Sequence, residues 1–133
     1  NIPAPFKWAL MLRPPMARWS VGRVTLLGDA CHSMLPFLGQ GANSAIEDGY
    51  VLARALAGIG EDIPARLSRY EKARRERTRR AVEGSADNIP RFHNPALADP
   101  VKAREHVSRE WAGKPIADRY EWIFRYDATT VEI

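Results

Sequence analysis

The chain has 133 residues, 45% hydrophobic and 27% charged, which reads as one soluble globular domain and excludes a disordered or low-complexity chain. No apolar run reaches the roughly 20 residues that span a bilayer, and a single cysteine, Cys31, excludes an internal disulfide and fits a reducing cytoplasm. The net charge of +4 is uneven: residues 66–80 hold eight Lys/Arg against Glu71 and Glu76, a local +6, and the rest sums to −2.

In chain order, Asn1 stands where an initiator Met would, so the sequence reads as the interior of a longer protein. Lys7–Leu12 reads as a strand stopped by Pro14-Pro15. Trp19–Gly22 reads as a turn. Val24–Leu27 is a continuous apolar run, expected to be a strand buried on both faces. Helical spacing begins at Gly41, with Ala42, Ala45, Ile46, Gly49, Leu52, Ala53 and Leu56 on one side, Glu47 and Asp48 opposite, and a stop at Gly58. A second helix is expected from Pro64 to about Gly84, its apolar face formed by Leu67, Tyr70, Ala73 and Ala81. Three prolines make Asn88–Pro100 a loop. Val101–Trp111 and Ile116–Tyr126 read as short helices.

The chemistry concentrates after Leu27. Gly28-Asp29 puts a carboxylate just beyond an apolar strand, where open α/β sheets bind their ligands. Such a carboxylate needs donors or a ligand hydroxyl, and the glycine lets the backbone turn sharply. The plainer reading is an Asp that caps a turn. About ten residues later, Gly39-Gln40-Gly41-Ala42-Asn43-Ser44 opens a helix among small residues. It is not a dinucleotide phosphate loop, because Ser44 stands at the third glycine position and the loop does not follow its strand directly. What remains is a helix start whose N–H groups can face negative charge on a flat ring, or one shaped for tight packing. Cys31 and His32 are sequence neighbours, and the side chains of neighbours usually diverge, which argues against a nucleophile–base pair. No metal-ligand spacing is present, and no metal is expected.

Together, Gly22-Arg23-Val24-Thr25-Leu26-Leu27-Gly28-Asp29-Ala30, Pro36, and Gly39-Gln40-Gly41-Ala42-Asn43-Ser44-Ala45-Ile46-Glu47-Asp48 resemble the second flavin motif of the class A FAD-dependent aromatic hydroxylases, the para-hydroxybenzoate hydroxylase superfamily. Trp19, Tyr70-Glu71, Arg74-Arg75, Arg77-Thr78 and the ending Trp122-Ile123-Phe124-Arg125-Tyr126-Asp127-Ala128 resemble its salicylate hydroxylase and 3-hydroxybenzoate 6-hydroxylase branch. Cys31, Ser33, Gly39 and Arg125 depart from residues common in that branch. The resemblance implies an α/β (α+β) fold: the C-terminal portion of a Rossmann-like FAD-binding fold, mostly helices with one or two strands. Residues 1–84 would be the C-terminal half of the FAD-binding domain and residues 85–133 a helical and loop extension.

It also implies roles. Gly28 would carry the turn, and Asp29 would bond a ribityl hydroxyl of FAD. Pro36 would lie near the reactive face of the flavin, and Gly39 to Asn43 along its ring. The N–H groups of Ala42 and Asn43 would face the N1/O2 edge, and Gln40 would point toward flavin or substrate. NAD(P)H would reduce the flavin, and O2 would supply the oxygen that hydroxylates a small aromatic substrate. No catalytic residue is assigned. The N-terminal phosphate loop and the middle Asp-Gly motif of such enzymes are not in this sequence, so the chain alone is expected to be inactive and to self-associate through apolar surface. The alternatives are a non-catalytic binding or oligomerisation module of the same fold, and nucleic-acid binding through the Arg-rich helix 66–80. The second has little support, because no aromatic residues interleave the basic run. No membrane partner is expected.

Overall fold

Gly22, at a φ of +58°, makes the first turn. It joins β1 (Ser20–Val21) to β2 (Val24–Thr25) as an antiparallel hairpin with Ser20 opposite Thr25 and Val21 opposite Val24. The left-handed backbone of a two-residue loop suits glycine. The computed structural model describes residues 3–58, 60, 62–112 and 116–133. After the hairpin come α1 (Asp29–His32), a 3-10 turn at Pro36–Leu38, α2 (Gly41–Leu56) and α3 (Ile63–Ala86). The C-terminal part holds α4 (Ile89–Phe92), a 3-10 turn at Pro95–Ala98, α5 (Pro100–Trp111) and α6 (Ile116–Phe124). The fold class expected from the sequence holds: a mostly helical α/β arrangement with one small two-stranded sheet.

The helix boundaries follow their local signals. Asp62 caps α3, its Oδ1 accepting from the Ala65 N–H at 2.9 Å, with Pro64 in the first turn. Asp99 caps α5 in the same way, accepting from Val101 and Lys102. The expected stop of α3 at Gly84 is exceeded by two residues. Within the expected loop at Asn88–Pro100, each proline sits in the first turn of a short helical segment, where its missing N–H costs nothing.

Two strand expectations fail. Residues 7–12 form no strand, and Trp8 is 81% exposed; a strand needs a ladder partner, and none of the described residues offers one. The Val24–Leu27 run is paired only at Val24–Thr25, and Val24 is 67% exposed. It is therefore one arm of a hairpin and not a strand buried on both faces.

The core lies where the hairpin, α2 and α3 meet. Trp19, Cys31, Val51, Ala55 and Tyr70 form it, with Leu26, Leu52 and Ala73 partly buried against it. The C-terminal tail returns to the same place through Ala128, Val131 and Ile133. Arg54 fastens the tail, donating to the carbonyls of Ala128 at 2.8 Å and Val131 at 2.9 Å. Arg77 donates to the carbonyls of Trp122 and Ile123, which caps the end of α6. Its guanidinium also lies over the rings of Trp122 and Tyr126, and Arg80 lies over Trp122.

The buried face of α2 is not the apolar one. Ser44, Asp48, Val51 and Ala55 are buried, whereas Ile46 is 71% exposed. The spacing of four, three and four is helical, but the stripe is turned toward polar residues. Asp48, expected opposite the apolar face, is fully buried. Partners supplied by α1 and α3 make this phase stable.

Candidate flavin site

Gly28 is the hinge of the site. Its φ of +61° with ψ of −139° is a conformation that L side chains rarely adopt, and a Cβ there would lie 3.2 Å from the Cβ of Ala45. The turn is thus pressed onto α2. Gly28 then accepts through its carbonyl from Cys31 and His32, and this starts α1. Asp29 occupies the first turn of α1, exposed. Arg13 donates to the carbonyls of Asp29 at 3.3 Å and Ala30 at 2.7 Å. Arg13 is a neighbour that sequence reasoning did not identify.

The loop from α1 to α2 closes through Gly39, at φ +62°, whose N–H donates to the carbonyl of Pro36 at 2.9 Å. No side chain caps the start of α2, whose preceding residue is Gln40. The first-turn N–H groups of the 16-residue α2 are therefore left to an outside acceptor.

These pieces enclose a cleft of about 630 Å³. Gly28, Asp29, Pro36, Gly39, Gly41 and Ala42 line it, with Leu27, Met34, Leu35 and Ala45 as apolar wall. Six of the eight residues expected from the sequence therefore share one concavity. The other two do not line it. Gln40 is buried, and its amide nitrogen donates to the carbonyl of Leu38 at 3.2 Å, so it braces the loop. Asn43 is exposed beside the cleft. An exposed carboxylate, an uncapped helix start and apolar side chains lining one cleft suit a ligand that carries both hydroxyls and an electron-rich ring edge.

Behind the cleft stands a buried polar cluster. Asp48 accepts at Oδ2 from the Gly28 N–H at 3.0 Å and from His32 Nε2 at 2.5 Å. Its Oδ1 accepts from Arg74 Nε at 2.7 Å. Arg74 also donates to Glu47 at 2.6 Å and to the carbonyl of Ser44 at 3.3 Å. Burial pushes the Asp48 carboxyl up, but the hydrogen bonds from His32 and Arg74, with the Arg74 charge, outweigh it and hold the group below its ordinary value. Burial would likewise lower Arg74, and the Asp48 carboxylate more than offsets this and keeps the guanidinium charged. The Cys31 thiol is pushed up to about 12, first by burial and then by the charge of Asp48.

Cys31, His32 and Asp48 bring three ligand-type atoms within 4.8 Å of one another. Arg74 already supplies the positive charge there, and both Asp48 oxygens have N–H partners. The set is built as a hydrogen-bonded cluster, and no metal is assigned to it.

The basic helix is also engaged inside the fold. Seven of its eight cations are engaged: Arg74 and Arg77 pair with Glu47, and Arg66, Arg69 and Arg75 donate to backbone carbonyls. Arg79 pairs with Glu76 and Glu83, and Arg80 lies over Trp122. The run therefore presents no uniform solvated basic face.

A family model described as an FAD binding domain matches residues 9–85, and the chain belongs to that family. Among its relatives, the 3-amino-4-hydroxybenzoate 2-monooxygenase PtmB3 of Streptomyces platensis is 40% identical over 124 residues, 93% of this chain and 30% of that protein. A salicylate hydroxylase of Pseudomonas putida is 35% identical over 97% of this chain and 29% of that protein. A solved salicylate hydroxylase substrate complex superposes with a TM-score of 0.69 at 33% identity, over 92% of this chain and 29% of that one. Klebsiella pneumoniae HpxO, solved with FAD and uric acid, superposes with a TM-score of 0.63 at 33% identity, over 80% of this chain and 26% of that one. The resemblance to the class A FAD-dependent aromatic hydroxylases is thereby shown. The chain spans about 30% of the length of the curated relatives it matches.

Proposed function

We propose that this chain supplies the flavin-ring side of an FAD site in a monooxygenase that hydroxylates a phenolic or hydroxybenzoate-type aromatic. The observation that supports the reading is one cleft lined both by Asp29 and by Gly41 and Ala42 at the uncapped start of α2. In a family of FAD binding domains with hydroxylase relatives, that pairing fits the two ends of a flavin with its ribityl chain. FAD, when bound, supplies the redox chemistry, with NAD(P)H as reductant and O2 as oxygen source.

The chain's own residues bind and orient. Asp29 accepts from a ribityl hydroxyl. The N–H of Ala42 at the cleft, with that of Asn43 beside it, would face the electron-rich edge of the ring, where the positive end of α2 favours negative charge. Gly39 and Gly41 let the ring approach the backbone closely. Pro36 and Leu35 supply apolar surface for one side of the ring. Residues 1–84 form the flavin-binding part and 85–133 an extension of it. The chain spans about 30% of the length of those relatives, and the remaining FAD contacts are expected from the portion it does not span.

The test uses the full-length protein. Asp29→Ala is expected to fold normally and to lose FAD on gel filtration, read as the ratio of flavin to protein absorbance. A variant that stays as yellow as wild type would remove Asp29 from the site. Adding candidate hydroxybenzoates with NAD(P)H to the wild type is expected to speed flavin bleaching, and an unchanged rate with every phenol tried argues against an aromatic substrate.

A further inference from the structure

We infer that His32, Asp48 and Arg74 are positioning residues that hold the Gly28–Asp29 turn in register with the start of α2; this rests on the flavin reading above. The two halves of the cleft come from separate segments. Asp29 follows the hairpin, and Gly41 and Ala42 begin α2. Apart from the intervening loop, the hydrogen bonds among the described residues that join them run through the Asp48 side chain. Asp48 lies on α2, seven residues or about two turns beyond Gly41. It reaches back to take the N–H of Gly28, the residue just before Asp29. His32, at the end of α1, bonds the same oxygen, so both ends of the short Gly28–His32 segment are tied to α2.

Arg74 fixes the other side. From α3 it holds Oδ1 of Asp48 and the carbonyl of Ser44, a residue in the opening turn of α2. Three elements therefore meet at one carboxylate, and all three side chains are almost wholly buried. In that setting each hydrogen bond to the charged group is strong and sharply directional. None of the three lines the cleft, so their effect on a ligand passes through the backbone they hold.

The test compares His32→Leu with His32→Gln in the full-length protein, because either change leaves the Asp48–Arg74 pair intact. FAD affinity is read by titrating apoprotein while following flavin fluorescence, and the ring environment by visible circular dichroism of the bound flavin. Apoprotein melting reports stability separately. Loss of the bond to Asp48 in His32→Leu is expected to raise the FAD Kd about tenfold and to change the flavin dichroism. Gln, which keeps a donor near the same place, is expected to stay close to wild type on both. Leu and Gln variants that bind FAD with wild-type affinity and unaltered dichroism overturn the proposal, even where the apoprotein melts lower. Asp29→Ala serves as the separating control. Wild-type FAD binding in that variant overturns the flavin reading at Asp29, whereas lost binding there beside unaffected His32 variants overturns only the positioning role.

Discussion

Residues 28–85 and 86–133 are both rich in Arg and Glu, but they use charge in opposite ways. In the first region Asp48 and Arg74 are fully buried and directly paired, and Glu47 bridges Arg74 to Arg77. In the second, only Asn88 and Ile123 are buried among the described residues, and the ion pairs Arg91–Glu110, Arg119–Glu110 and Arg125–Glu121 all keep contact with water. A buried ion pair is costly unless every partner is in place, so it specifies one arrangement of the elements around it. An exposed pair is screened and flexible, and it specifies little. The buried side of this contrast lies directly behind the cleft.

Removing one buried partner gives the largest expected effect. Arg74→Met strands Asp48 without its cation, and a stability loss of about 3–5 kcal/mol follows from breaking such a pair. Denaturant unfolding of the full-length protein measures it. A loss of under about 1 kcal/mol, the range of surface pairs, would break the contrast between the two regions.

Acid tests the same cluster more gently. Because the Asp48 carboxyl is held below its ordinary value of 3.8, its pairing with Arg74 and His32 contributes fully above pH 3.8 and is lost as the pH falls below it. Thermal midpoints of wild type are therefore expected to fall more steeply with acid than those of Asp48→Asn, the two curves converging below pH 3.8. Parallel curves would mean that Asp48 contributes nothing as an anion.

The smallest effect is expected at Arg125, whose side chain is 78% exposed in its pair with Glu121. Arg125→Ala should leave both the unfolding midpoint and FAD retention unchanged. A clear drop in either would show that the C-terminal helices are held by their surface charges after all.

That six of the expected residues gather at one cleft was legible in the sequence because their signals are local. Gly28 and Gly39 mark positive-φ turns, Gly41 marks a helix start, and Asp29 follows at once on its turn, so their order along the chain already brings them close in space. The phase of α2 was not legible. Ile46 and Ala42 outscore Ser44 and Asp48 in hydrophobicity, so the apolar stripe and the buried stripe point different ways. One signal was available. Arg74 lies four residues after Tyr70 and seven after Leu67, within the apolar stripe of α3, and a cation in such a stripe calls for a buried anion. The strand expected at residues 7–12 failed for the complementary reason: strand pattern without a ladder partner does not make a strand.

By itself the sequence determined the starts of α2 and, to within a residue, α3, the turn at Gly28 and the membership in an FAD-binding family, since caps, prolines, glycines and contiguous motifs act over a few residues. Only the tertiary structure decided that Asp48 faces inward, that the basic helix is tied into the fold, and that Gln40 braces its loop. Those outcomes depend on partners brought together from distant positions, as with Asp48 and Arg74, 26 residues apart in the chain, and a polar side chain's place inside or outside is settled only when its partner arrives.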